Sequence, residues 1–203
     1  MAARPSTNLR YGLWAVAIGA VVAITAVALG LFGGDRPAGV STVNIGGPFA
    51  LGGTDGQRVT EADFPGKARA MFFGYTHCPD VCPTTLAEAG SWLEALGPDA
   101  DKLAIMFVTV DPERDTPEAM KTYLSSFDPR IVGLSGTPEE IAAVVKSHRV
   151  YARKVALEGG DYTMDHSAAV LLFDKDGRFV GTVDYQDPAD QAVAKLKRLV
   201  AAG

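Results

Sequence analysis

Hydrophobic patterning divides the chain into one long apolar run and a later region where short apolar stretches alternate with amphipathic ones. Residues 11–32 (YGLWAVAIGAVVAITAVALGLF) run 22 positions without a charge. A helix needs roughly 20 apolar residues to cross the hydrocarbon layer, so this run predicts a transmembrane anchor. Residues 33–42 are rich in Gly and Pro, lack periodicity and read as a linker. The expected organisation is a short N-terminal segment (1–10), the anchor (11–32), the linker (33–42) and one folded domain (43–203).

Within that domain, residues 49–51 and 57–60 flank the Gly-rich GGTDG and predict a hairpin, after which Thr60 and Asp63 open a helical turn. Residues 68–76 (ARAMFFGYT) and 103–110 (LAIMFVTV) are nearly continuous apolar runs, the pattern of strands buried on both faces. Between them Leu86, Ala89, Leu93 and Leu96 recur at helical spacing, with Pro83 in the first turn and Gly97-Pro98 as the stop. Thr116-Pro117-Glu118 starts a second helix through Leu124, and residues 130–134 form a third strand. Thr137 and Glu140 make a capping box ahead of Ile141, Val144 and Val145. Residues 168–173 and 178–183 form a hairpin around Asp174–Gly177, and Asp187-Pro188 caps a last helix carrying Val193, Leu196 and Val200. Helix-separated strands followed by a hairpin and a terminal helix predict an α/β fold: a mixed central sheet flanked by helices, on a thioredoxin-like plan.

Charge orients this arrangement. Arg4 and Arg10 precede the apolar run, whereas Asp35 and Arg36 cancel beyond it, so the positive-inside bias leaves the N-terminus in the cytoplasm. In a bacterium this predicts a single-pass inner-membrane protein with its C-terminal domain in the periplasm. A cleaved signal peptide ending near Ala26-Val27-Ala28 is the alternative, but the run exceeds the roughly 7–15 residues of a usual signal h-region. Without Arg4 and Arg10, 17 of the 19 basic residues face all 24 acidic ones, leaving the exported part at −7. Nucleic acid is not an expected partner.

The two cysteines, Cys78 and Cys82, lie four positions apart where a buried strand meets a helix start. So small a loop staples little, while a helix N-terminus favours thiolate, which points to a reactive pair. Pro79 and Pro83 disfavour a regular helix across both thiols, and a closed disulfide and a two-thiolate metal clamp both remain open. Thiolates joined by an imidazole suit copper in either oxidation state. Of the three histidines, His77 adjoins Cys78, but neighbouring side chains leaving a strand point apart, and loop support is its expected role. His148 ends the helix beginning near Thr137 and is expected as a surface feature meeting the negative helix end. His166 precedes a buried strand, with Asp165 and Ser167 available to orient its ring. Residues 111–115 (DPERD) read as a turn leading to a capped helix, and Asp174, Asp176 and Gly177 as a hairpin turn lacking the remaining ligands of a calcium loop.

Three separated motifs, GYTHCPDVCP (74–83), VDPERDTP (110–117) and DHS (165–167), resemble the Sco/SenC proteins, with the likeness covering about residues 43–199. That family assists copper delivery to cytochrome c oxidase. The resemblance implies that Cys78, Cys82 and His166 bind copper as Cu(I) or Cu(II), and it implies the thioredoxin-like fold and a single membrane tether. The expected function is a membrane-anchored copper chaperone that helps metallate the binuclear copper centre of cytochrome c oxidase subunit II. A periplasmic copper donor and a thioredoxin-like reductant are expected as further partners, because a disulfide cannot offer two thiolates. The alternative is a thiol-disulfide oxidoreductase that reduces the oxidase's copper-ligand cysteines with Cys78 and Cys82 as its redox pair, without needing His166. A peroxidase reading fails on the motif, since Tyr75 stands at the required Thr and Met71 at the required Pro. A sensor signalling through the apolar helix would have only ten cytoplasmic residues to present.

Overall fold

The structure, a computed structural model, describes residues 44–201 together with residues 14, 17–22, 24–25 and 27. The isolated residues of the second group are helical and solvent-exposed. The expected anchor at 11–32 lies largely outside the described residues, as do segment 1–10 and linker 33–42. Among the described residues no helix is long and apolar enough to cross a membrane.

The domain elements follow the expected order. They are β1 (Ala50–Gly53), β2 (Arg58–Thr60), β3 (Ala68–Gly74), α1 (Val81–Leu96), β4 (Leu103–Thr109), α2 (Pro117–Leu124), β5 (Ile131–Ser135), α3 (Pro138–Ser147), β6 (Ala152–Ala156), β7 (Tyr162–His166), β8 (Val170–Phe173), β9 (Phe179–Val183) and α4 (Ala189–Ala201). Seven strands form one mixed sheet in the order β2-β1-β5-β4-β3-β8-β9. β3, β4 and β5 run parallel at its centre, and β1, β8 and β9 join antiparallel. Parallel strands covered on both faces read as nearly continuous apolar runs, and every residue of β4 is buried.

Local chemistry sets the helix ends. The Thr116 hydroxyl accepts from the Ala119 amide, Thr137 and Glu140 close their capping box, and each following helix begins with Pro at N1. Gly97 closes α1 at φ 56°, a left-handed conformation that glycine adopts without a Cβ penalty. Alternation along β3 directs Phe72 and Gly74 to the face covered by α1. Phe73 points to the other face, where α3 ends against it at His148.

Two expectations need correction here. His148 does terminate α3, but it is 3% exposed rather than on the surface. Its ring lies 5.5 Å from both Phe73 and Phe173 and its Nδ1 meets the Val144 carbonyl at 2.9 Å, so it is a packed core residue. Burial holds its pKa below the usual imidazole range. The second correction is an element that the hydrophobic pattern does not predict: β6 and β7 form a separate antiparallel ribbon, with Ala152 opposite His166 and Ala156 opposite Tyr162. His166 therefore ends a strand of its own.

Candidate metal centre

The site is assembled where the parallel strands end. β3 delivers the chain through Tyr75 and Thr76 to Cys78, and α1 begins at Val81 with Asp80 as N-cap. The two prolines act as expected: Cys78 stays outside the helix and Cys82 enters its first turn. The Cys82 amide donates to the Cys78 sulfur at 3.4 Å, so an unpaired helix N-terminal N–H is directed at that thiol. Both cysteines are free thiols, Cys78 half-buried and Cys82 fully buried.

Gly74 makes room for Cys82. A Cβ at that position would stand 2.7 Å from the Cys82 sulfur and 2.6 Å from the Phe107 ring, so only glycine lets the thiol lie against β3. From the ribbon side, His166 brings Nε2 to 3.5 Å from the Cys82 sulfur. Its Nδ1 donates to the Ser167 carbonyl at 2.9 Å, and its ring meets the edges of Tyr75 and Phe72. Ser167 thus orients the imidazole as expected, though through its backbone. Asp165 instead pairs with Arg153 at 3.0 Å. One ligand atom from each of Cys78, Cys82 and His166 lies within 4.8 Å of the other two, close enough to share a metal ion. Two soft sulfurs and one imidazole nitrogen are a donor set suited to copper or zinc.

Electrostatics separates the two thiols. The hydrogen bond from the Cys82 side chain lowers the Cys78 pKa to about 4, overcoming burial, with help from His166 and the amides of Cys82 and Asp80. Cys82 moves the opposite way, pushed up by the same shared hydrogen bond and by burial. The two thiols are thus driven in opposite directions, Cys78 toward the thiolate and Cys82 toward the protonated form. Burial disfavours charge on His166, but its hydrogen bonds to the Cys78 sulfur and the Ser167 carbonyl outweigh this and raise its pKa.

Residues 111–115 contribute more than the expected turn. Asp115 is completely buried, accepting from the Thr109 and Thr76 hydroxyls at 2.6 Å each and from the Thr76 amide at 3.1 Å. It therefore pins the chain two residues before Cys78. Asp111, also buried, accepts from Arg114 at 2.5 Å and from the Tyr162 hydroxyl at 2.8 Å. Arg114 lies 3.7 Å above the Tyr162 ring and donates to its carbonyl at 3.1 Å, tying this loop to the start of β7. In the sequence Asp111 stands just past a buried strand and both aspartates fall within the VDPERDTP motif, but neither sign gives their partners. His77 lies outside the three-ligand cluster, exposed, with Nδ1 3.0 Å from the Thr76 hydroxyl. Asp174 and Asp176 pair with Arg178 in their hairpin, as a turn requires.

A sequence profile described as SCO1/SenC matches residues 38–201. This chain belongs to the SCO1/SenC family. Among similar proteins, the mitochondrial SCO1 homolog 1 of Arabidopsis thaliana is 42% identical over 137 residues, covering 67% of this chain and 41% of that protein. Mitochondrial SCO1 of Saccharomyces cerevisiae is 37% identical over 171 residues, covering 81% and 58%. The chain thus spans about half the length of these curated SCO relatives. Among solved structures, Bradyrhizobium japonicum ScoI with copper bound is 56% identical with a TM-score of 0.71, covering 76% of this chain and 99% of that one. Yeast Sco1 with copper bound is 37% identical at a TM-score of 0.71, covering 79% and 90%. The mixed sheet and flanking helices are those of SCO1/SenC structures, and the thioredoxin-like plan read from the sequence is the observed one.

Proposed function

We propose that this protein is a copper chaperone, tethered to a bacterial inner membrane through residues 11–32, that holds Cu(I) or Cu(II) on Cys78, Cys82 and His166. Its expected recipient is the binuclear copper centre of cytochrome c oxidase subunit II. The observation that carries the reading is the convergence of two sulfurs and one imidazole nitrogen within 4.8 Å at the end of a parallel sheet. Family membership and the copper-bound structures of ScoI and yeast Sco1 support it. The chain's own residues suit copper capture. Cys78 supplies a thiolate without prior deprotonation, Cys82 releases its proton when the metal arrives, and Ser167 fixes the imidazole with Nε2 toward the sulfurs. Delivery then proceeds by stepwise ligand exchange to a centre whose ligands are equally soft. The recipient, a periplasmic copper donor, a thioredoxin-like reductant and the periplasmic placement of the domain all belong to this proposal.

Titrating the reduced full chain with Cu(I) and with Cu(II) tests it. One copper per chain is expected, with a thiolate-to-copper charge-transfer band for Cu(II). Each of Cys78→Ser, Cys82→Ser and His166→Ala should weaken binding by about tenfold or more. Wild-type affinity in any of the three removes that residue from the site.

A second reading, thiol-disulfide exchange with the oxidase's copper-ligand cysteines, draws support from the half-buried Cys78 thiolate beside a protonated Cys82. That is the arrangement of an attacking and a resolving thiol. Thiol turnover on an oxidised dicysteine peptide that survives His166→Ala, while copper binding is lost, favours this reading. Loss of both, or rescue of oxidase assembly by added copper, favours the chaperone.

A further inference from the structure

We propose that His77 is an outward-facing copper ligand, engaged through Nε2 while copper enters or leaves the Cys78, Cys82 and His166 site. The proposal rests on the copper-handling reading above and adds a residue to it. Its basis is a hydrogen-bond chain whose direction can be worked out atom by atom. Asp115 is fully buried, and a carboxylate only accepts. Its Oδ1 lies 2.6 Å from the Thr76 hydroxyl oxygen, and its Oδ2 is satisfied by the Thr76 amide and the Thr109 hydroxyl. The single hydroxyl proton of Thr76 must therefore point at Asp115. Were it turned toward His77, lone pairs would face each other across 2.6 Å in the protein interior.

Thr76 can then only accept from His77, whose Nδ1 stands 3.0 Å away. This places the ring proton on Nδ1 and leaves the Nε2 lone pair free. No hydrogen-bond partner reaches Nε2 among the described residues, and the side chain is exposed. Metal-binding histidines are oriented in this way, with one nitrogen donating to a carboxylate or carbonyl and the other presented to the ion. His166 shows the same arrangement, with Nδ1 on the Ser167 carbonyl and Nε2 facing inward. His148 does not share it in function, because its ring is enclosed between Phe73 and Phe173.

Position gives His77 its role. Cys82 is fully buried and His166 is half-buried behind Tyr75 and Phe72, so a partner's ligands must approach past Cys78. His77 is the residue directly before Cys78, its Cα about 3.8 Å away. An imidazole nitrogen there forms its bond to copper before a bond to Cys82 or His166 breaks. The oxidation state does not change, Cys82 takes back a proton from water after release, and no oxidant or reductant is required. The Asp115–Thr76 pair keeps the lone pair on Nε2, the nitrogen turned away from Thr76.

The test uses the full chain as wild type, His77→Ala, Thr76→Val and Thr76→Ser. In the copper-free protein, long-range nitrogen–proton NMR should show His77 in the Nδ1–H tautomer, retained in Thr76→Ser and lost in Thr76→Val. Equilibrium Cu(I) affinity, read by competition with a chromophoric chelator, should stay within about twofold of wild type in His77→Ala. Transfer of Cu(I) to a soluble dicysteine peptide should slow by about tenfold in His77→Ala and Thr76→Val, with Thr76→Ser near wild type. A wild-type transfer rate in His77→Ala, or an Nε2–H tautomer in the wild type, overturns the proposal. Equal losses of affinity and rate would overturn it too, by making His77 a resting ligand. Failure of the wild type to bind copper at all would instead overturn the copper reading itself.

Discussion

At the residue scale the centre depends on one hydrogen atom where other amino acids carry a carbon. Gly74 has an ordinary strand conformation, and its constraint is space: a Cβ would meet the Cys82 sulfur at 2.7 Å and the Phe107 ring at 2.6 Å, neither of which can move into solvent. Gly74→Ala should therefore cost about 1–3 kcal/mol, the usual range for overpacking a filled core. It should also push the Cys82 sulfur away from Cys78 and His166. The expected outcome is a lower denaturant midpoint together with Cu(I) affinity reduced by about tenfold or more. A variant that loses stability but keeps wild-type affinity would show that the Phe107 contact, and not the sulfur contact, bears the strain. Much at this scale is legible in the sequence. Residue type, spacing and family likeness single out Cys78, Cys82 and His166, and the structure brings the three together. Thr76 and Asp115 are not legible in this way, because their importance is a hydrogen bond across 39 positions that no local pattern encodes.

At the element scale, apolar and capped segments declare themselves in the sequence and half-wet ones do not. β3 and β4 are visible because burial on both faces demands nearly continuous apolar runs, and α2 and α3 because Thr-Pro starts them. The β6–β7 ribbon gives no such signal. Its segments ARKVA and YTMDH pair with each other beside the main sheet, and none of their residues is fully buried. It is fastened instead by Arg114, which joins Asp111 to the Tyr162 ring and carbonyl four positions before His166. Arg114→Ala should release the start of β7 and leave the Asp111 carboxylate buried without its cation. Since Arg114 is itself 19% exposed, water can compensate in part. The expected cost is about 2 kcal/mol, below the roughly 3–5 of a fully buried pair. Copper affinity should fall with it as His166 gains freedom. Adding Asp111→Asn removes the stranded charge, so Arg114→Ala/Asp111→Asn should recover stability by denaturant unfolding while copper affinity stays low. Recovery of both would mean that the charge balance, and not the fastening of the ribbon, governs the site.

At the scale of the whole molecule, one buried base links global stability to pH. His148 is enclosed by Phe73 and Phe173 and capped onto the Val144 carbonyl. Burial is the largest influence on its titration, Arg69 adds to the penalty for charge and Glu61 opposes it, and its folded pKa lies below the ordinary 6.5. In the unfolded chain the same ring takes up a proton near 6.5. Between that value and the lower folded pKa the unfolded state holds more protons, so stability rises with pH through this window. The contribution of His148 is therefore fully present above about 6.5 and is lost as pH falls toward the folded value. Other groups add their own slopes: the low pKa of Cys78 acts in the same direction across this window, and the raised pKa of His166 acts in the opposite direction above about 6.5. Asp128, Glu140, Asp174 and Asp187, held low mainly by their cationic and amide partners, act at more acidic pH. The measurable quantity is therefore a difference. Denaturant unfolding of wild type and His148→Gln between pH 7.5 and 5 should give a steeper decline for the wild type, because glutamine can still donate to Val144 but cannot be protonated. Parallel curves displaced by a constant would mean that His148 is equally protonated in both states, which an enclosed neutral ring does not allow.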